Sequence, residues 1–519
     1  VTSETERINR RSGGRSARVA LRAAPQEINP APPGPLGGHY KPLSEQGLKA
    51  IYDTAIRLLA ELGMGEVPKR FEDLALSKGA TLNAKGRLCY SRDLVENIIA
   101  GAAKSFVYHG RDPKHDFEIG REKVYFGTGG AAVQTLDIDT GRYRSSTLND
   151  LYDFTRLIDT LPNVSWFTRC CVATDLPDIR DLDVNTAYAL LAGTTKPVGT
   201  SFTIAEHVDP IIDMFDIALG GEGKYRARPF CKAHISPVIS PMRYGEDAVD
   251  VTYACIKRGV PINAIIAAQS GATAPATPAG FLAQSLAESL ASLVLVNMIE
   301  PGFPMIFSNW PLVIDLRTGA FCGGGGEISV MNAASGQLSN WLGLPSGAAC
   351  SMTDAKAVDA QMGAEKAFSA LAAGLAGTNM IYESAGMMAS LLGASFEAFV
   401  ADDEMLSHVY RIIRGIEVNE ETLGFDAICG AVLGEGHFLG GEHTIRSMGR
   451  DYFFPKLANR DDPRTWSDKG AGDLWQASRA RAKHILATHY PDYISAEADQ
   501  KIRDRFNILL PKARITKPE

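Results

Sequence analysis

The sequence predicts an α/β fold, a (β/α)8 barrel of the TIM type with an N-terminal arm, a small helical domain and a C-terminal extension. Three observations predict it. Short apolar runs recur, each led by a proline: Pro162, Pro197, Pro229, Pro261, Pro304 and Pro345. Pro197, Pro229 and Pro261 fall 32 residues apart, and roughly 30 residues make one βαβ step. The runs are unbroken rather than alternating, as in parallel strands covered on both faces, and helical stripes lie between them.

Residues 1–42 are rich in Arg, Gly and Pro and end in "NPAPPGPLGGHYKP". They read as an arm, either a flexible tail or a strap along a neighbouring subunit. Arg10-Arg11 is not followed by an apolar run, so an export signal is not expected. Ser44 caps a helix carrying the stripe Leu48, Ile51, Ala55, Leu58 and Leu62, and a second helix covers Arg92 to Ala102. Residues 43–120 therefore read as a helical cap.

The barrel spans 121–417. Its eight strands are read in "KVYFGTG", "LPNVSWFTRCC", "KPVGTSF", "RPFCKAHIS", "VPINAIIAAQS", "FPMIFSNW", "LPSGAACSM" and "NMIYESAG". A hairpin at 133–146, turning on Asp-Thr-Gly, interrupts the first unit. Leu151, Phe154, Ile158 and Leu161 mark one intervening helix; Leu282, Leu286, Leu290 and Leu293 mark another. From Val418 the rhythm stops. Residues 418–519 form an extension that packs on the barrel, and Gly434, Gly436, Gly440 and Gly441 make "GHFLGGEHT" too irregular for a helix. A helical tail begins near Asp473.

Bulk properties narrow the function. The 519 residues carry a net charge of -7, which argues against a general nucleic-acid binder. No apolar run reads as long enough to span a bilayer. The eight cysteines form no CxxC pair, so reduced thiols and a cytoplasmic setting are expected.

Barrel sites sit at the C-terminal ends of strands. Trp166, Phe202, Phe307, Trp310 and Tyr382 fall there; aromatic faces attract quaternary ammonium groups, though each ring could equally be core. His234, Ser236, Gln269, Asn309, Asp354 and Glu383 are the polar residues at that level. Glu383 in "IYESAG" is either desolvated or ion-paired. Cys231 and His234 face opposite ways on a strand, and no metal is expected. The run Gly323 to Gly326 before Glu327 lacks GxxxxGK[ST] and GxGxxG, so a close-approach loop at the mouth is preferred to a phosphate cradle. His437, Glu442 and His443 lie in a long loop suited to covering a surface or meeting a partner.

Several stretches resemble the trimethylamine:corrinoid methyltransferase family: "YRSSTLNDLYDFTRLIDTLPNV", "WPLVIDLRTGAFCGGGGEISVMNAASGQLSNWLGLP", "TDAKAVDAQMGAEKAF" and "GEGHFLGGEHTIRSMGRDYFFPKLANRDD". The resemblance implies a β/α barrel that moves a methyl group from a methylated amine to the cobalt of a corrinoid (cobalamin) carried by a partner protein. The founding enzymes contain pyrrolysine; this sequence has only standard residues. It therefore resembles the branch lacking pyrrolysine, which includes glycine betaine methyltransferases. A quaternary ammonium needs no acid to leave, since it departs as a neutral tertiary amine. Positioning and desolvation are then the protein's main task.

On this reading Glu383 and His234 are the candidate catalytic residues. Trp166, Phe202, Gln269, Asn309, Trp310, Asp354 and Tyr382 are the substrate-binding candidates. Gly324, Gly325, His437 and His443 are candidates for corrinoid or closing-loop contacts. A homo-oligomer is expected, with neither nucleic acid nor membrane as partner. Two other readings stand beside this one: direct methyl transfer to tetrahydrofolate, and a betaine-binding protein without catalysis.

Overall fold

The proline rhythm marks the start of a parallel ladder. In the computed structural model, which describes residues 29–517, the carbonyls of Pro197, Pro261, Pro304 and Pro345 accept from Phe167, Ala233, Ile262 and Phe307 of the preceding strand. Each proline supplies its acceptor where its missing N–H is not needed. The strands are β1 (Tyr125–Phe126), β2 (Phe167–Thr168), β3 (Val198–Thr200), β4 (Cys231–Ile235), β5 (Ile262–Ile266), β6 (Met305–Asn309), β7 (Ser346–Ala349) and β8 (Met380–Tyr382). All eight fall in the runs read from the sequence. They form one parallel, eight-stranded sheet ordered β1-β8-β7-β6-β5-β4-β3-β2. The sheet curls until its edges meet: Ser165 N–H donates to Phe126 O at 2.8 Å, and Thr128 Oγ1 to Thr168 O at 2.5 Å.

One helix follows each strand: α1 (Leu148–Asp159), α2 (Ile179–Gly193), α3 (Val208–Ala218), α4 (Glu246–Arg258), α5 (Pro278–Ile299), α6 (Gly326–Trp341), α7 (Ala360–Leu375) and α8 (Phe396–Arg414). Thr147 and Asp150 close a reciprocal cap on α1. α4 ends on left-handed Gly259, whose N–H returns to Cys255 and Ile256. α5 corrects the reading that no segment could span a bilayer. Its 22 residues have a hydropathy of 1.5 over the most apolar window, but 83% of that window is buried in the protein. It packs against β5, β6, α6 and the helices Glu45–Arg57 and Arg92–Gly101, and so must be apolar all round.

The N-terminal end of the sheet is stoppered by the hairpin Ser105–Tyr108 with Phe117–Gly120. Tyr108 is buried and donates its hydroxyl to Val198 O; the Phe117 ring lies 4.3 Å from Tyr125. Residues 43–120 thus carry two hairpins beside their helices, the second small one at Thr81–Leu82 and Leu88–Cys89. The first 28 residues of the arm lie outside the described residues. The rest of it follows this chain's own barrel: Gly34 and Gly37 donate to Val124 and Glu122, and Ala31 is buried beside Phe126 and Tyr410.

Two small sheets rim the opposite end. One joins Gln269–Ser270, Leu312–Ile314 and Phe321–Cys322. The other joins Met387–Met388, Gly393–Ser395 and the hairpin strands Gln134–Leu136 and Tyr143–Ser145. Beyond α8, helix Leu474–Thr488 packs on α8 and α1, and Ala496–Arg505 packs on α3. Between α8 and Leu474 the helices Glu420–Leu423, Phe425–Val432, Glu442–Asp451 and Pro463–Asp468 bury no residue. The "GHFLGGEHT" stretch is irregular only as far as Gly441; Glu442 and His443 open a helix.

Candidate active site

Alternation along the strands aims Trp166, Lys232, His234, Ile265, Ile306, Trp310 and Tyr382 into the barrel; Trp310 and Tyr382 stand at the C-terminal ends of β6 and β8, whereas Trp166 precedes β2 and its ring lies 6.2 Å from Phe117. The His234 ring lies 5.3 Å from Trp310 and 5.6 Å from Tyr382. Trp310 and Tyr382 are 5.1 Å apart, as are Trp166 and Tyr382. Gly127 makes this packing possible, because a Cβ there would lie 2.3 Å from the Trp166 ring. The Trp310 indole N–H is buried without a hydrogen-bond partner.

Glu383 follows β8 with φ of 63°, a left-handed conformation costly for a side-chain-bearing residue. Its carboxyl folds against the Gly129-Gly130 turn after β1, where a Cβ would approach its oxygens to 2.9 and 2.7 Å. Burial pushes this acid up to about 8, against the opposing pull of Lys366 and Arg169. Oε2 has no hydrogen-bond partner. Lys366 is committed elsewhere, to Asp402 at 3.0 Å and Ser351 O at 2.9 Å. The ion pair weighed for Glu383 is absent among the described residues.

His234 is held neutral. Asn263 accepts from Ser308 through Oδ1, so its amide donates to His234 Nδ1 at 3.0 Å. The ring hydrogen then belongs on Nε2. Burial, followed by the charges of Lys232 and Arg169, holds the imidazole well below its usual range. Two residues earlier on β4, Lys232 is fully buried. Its Nζ donates to Thr168 Oγ1 at 2.8 Å and sits 5.0 Å from the Tyr382 ring centre and 5.3 Å from that of Tyr108. Burial draws it down to about 7. Arg169, just past β2, donates from Nη2 to Ser201 Oγ at 3.2 Å.

The other candidates are dispersed. Phe202 and Phe307 pack in the outer core between sheet and helices. Asn309 also turns outward, its amide donating to Ser285 Oγ on α5 at 3.1 Å. Gln269 sits on the rim sheet. Asp354 clamps the glycine loop: it accepts from Gly323 N–H at 2.7 Å, Gly324 N–H at 3.3 Å and Ser390 Oγ at 2.8 Å. The loop's amides already hold a carboxylate, which leaves the phosphate-cradle alternative without those donors. His437 is exposed, 3.7 Å from Glu435, and His443 lies beside Gly424. Both belong to the segment that buries nothing. Among the described residues no group of three or more His, Cys, Asp or Glu is placed to hold a metal.

Lys232 and Arg169 were not singled out from the sequence. The signal for Lys232 was available: a charge in an apolar strand, in phase with His234.

A curled parallel sheet with its ring cluster and buried acid at the C-terminal rim is the layout of a barrel-type α/β enzyme. The chain belongs to the trimethylamine methyltransferase (MTTB) family, whose model matches residues 11–507, and it is a methyltransferase. It is 28% identical over 472 residues to the glycine betaine methyltransferase of Desulfitobacterium hafniense strain Y51, covering 91% of this chain and 97% of that one. It is 28% identical to the trimethylamine methyltransferase MttB of Desulfitobacterium hafniense strain DSM 10664 / DCB-2, covering 86% and 90%. The Methanosarcina barkeri MttB is 29% identical, with 87% and 91% covered.

Proposed function

We propose that this enzyme demethylates a quaternary amine, glycine betaine or a related betaine, and passes the methyl to Co(I) of a corrinoid held by a partner protein. The observation that carries the reading is the cluster of Trp310, Tyr382 and His234 beside an unpaired, buried Glu383. Ring faces attract a cation that cannot donate hydrogen bonds. A buried carboxyl supplies the matching charge. Trp310, Tyr382 and Glu383 are all buried, so both attractions act at low dielectric.

The chain's own work is to hold the substrate with one methyl facing the mouth and to exclude water. The C–N bond then breaks with both electrons remaining on nitrogen, giving a neutral tertiary amine. His234 is neutral and adds no charge against the substrate. The corrinoid, as second substrate, supplies the electron pair for the new bond to the methyl. Room for a flat acceptor is available at the mouth: a Cβ on Gly326 would meet nothing within 4 Å, and one on Gly325 only the Glu327 carboxylate.

The working form is read as a homo-oligomer. The segment from Glu420 to Asp468 leaves too much apolar surface uncovered for a lone chain.

Mixing the enzyme with Co(I) cobalamin and a panel of betaines tests the reaction. The cobalamin spectrum is expected to change to that of the methylated form with at least one quaternary amine. Turnover with tetrahydrofolate and no corrinoid would favour direct transfer. Betaine binding without transfer to either acceptor would leave only a binding protein.

A further inference from the structure

Among the described residues, Arg169 is a cation without a counterion. It stands at the C-terminal rim of β2, and its one side-chain partner among the described residues is the neutral Ser201 hydroxyl. The acid that most affects its charge is Asp183, and Asp183 is engaged. Its oxygens accept from Thr203 N–H at 2.6 Å, Thr203 Oγ1 at 2.8 Å and His207 Nδ1 at 2.7 Å. Glu383 lies near enough for Arg169 to influence its ionisation, yet the two form no ion pair. Just past β8 and β2, the two strands that flank β1, a buried anion-former and a half-buried cation thus stand unpaired at the same end of the barrel, with the rings of His234 and Tyr382 on the strands between. Leaving both uncompensated is costly, and a ligand bearing both charges would relieve both at once.

We infer that Arg169 holds the anionic end of a zwitterionic substrate while Glu383 and the rings hold its ammonium. This inference rests on the proposed demethylation and narrows it to carboxylate-bearing amines. A guanidinium is suited to a carboxylate because its planar fork matches the two oxygens. One methylene separates the charges of glycine betaine. Choline carries the same ammonium with a hydroxymethyl group in place of the carboxylate. A site that pairs a half-buried guanidinium with the substrate discriminates against an analogue that leaves it unpaired.

Calorimetric titration of the full chain with glycine betaine and with choline, for the wild type, Arg169→Gln and Arg169→Lys, tests the assignment. The wild type is expected to bind betaine at least about tenfold more tightly than choline. In Arg169→Gln, betaine affinity falls roughly 10- to 100-fold, as for loss of a charge-assisted pair. Choline affinity stays within about twofold, which also reports an intact fold, and Arg169→Lys regains part of the loss. Equal binding of the two ligands by the wild type overturns this inference alone. So does an equal loss for both ligands in Arg169→Gln. If the wild type binds no quaternary amine, the proposed function falls, and this inference with it.

Discussion

Glu383 is the residue whose ionisation should shape the behaviour of the site. Its acid is raised from an ordinary 4.5 to about 8 by burial. Below pH 4.5 it is protonated in both folded and unfolded chains and adds nothing. Between 4.5 and 8 the unfolded chain ionises first, so stability falls as pH rises through that window and levels off above it. Glu383→Gln removes this dependence: the variant should gain melting temperature on the parent between pH 5 and 8, with no further gain above 9. Function should move the opposite way. A bound cation favours the carboxylate, so affinity for a quaternary amine should strengthen up to about pH 8. In Glu383→Gln that slope should vanish and kcat/KM drop roughly 10- to 100-fold. An unchanged pH slope would remove Glu383 from the site. Trp310, Tyr382 and Glu383 were legible because they end apolar strands. Phe202 and Asn309 end strands too, but their alternation phase sends them outward, and the strand bounds needed to count that phase are not written in the sequence. Arg169 was illegible for another reason: a charge near a strand end signals a site only once its lack of a counterion is visible.

At the scale of elements, all eight strands were readable, because proline entry and two-sided burial both leave composition marks. Of the rim sheets only the hairpin at 133–146 was readable; its pairing with Gly393–Ser395, and that of Gln269–Ser270 with Leu312–Ile314, join distant loops through two or three residues apiece. The glycine loop shows what sequence leaves undecided. Its four glycines look equivalent, but their surroundings differ. A Cβ on Gly324 would lie 2.2 Å from Glu365 Cδ, and Glu365 itself accepts from Thr353 Oγ1 at 2.5 Å and Asp354 N–H at 2.8 Å. Gly324→Ala should therefore displace the clamp and destabilise by about 1–3 kcal/mol, as overpacking does. Gly325 has φ of -77° and meets only Glu327 Oε2, at 3.1 Å. Gly325→Ala should leave stability within about 0.5 kcal/mol. It is the cleaner probe of acceptor approach: methyl transfer should slow while betaine affinity is kept. An equal loss of betaine affinity would place the loop in the substrate pocket instead.

The whole molecule is unevenly buried. The barrel and its helices bury an extensive core, whereas four helices between Glu420 and Asp468 contribute nothing to it. Exposed within this segment and its approach are Ile416 (88%), Phe425 (73%), Val432 (69%), Leu433 (88%) and Leu439 (68%). Apolar surface on this scale marks an interaction site. A shuttling acceptor protein must leave after each turnover, and interfaces of that kind are less apolar than permanent ones. A permanent cover is the better physical match, and a second copy of this chain supplies one at constant stoichiometry. Light scattering should then give a mass at least twice the 55.8 kDa of one chain. Phe425→Ser combined with Leu433→Ser should lower that mass while the barrel's circular dichroism and betaine binding persist, since neither residue touches the core. A wild-type mass of a single chain that rises only when the acceptor protein is added would assign this surface to the acceptor, and the oligomer reading would fail.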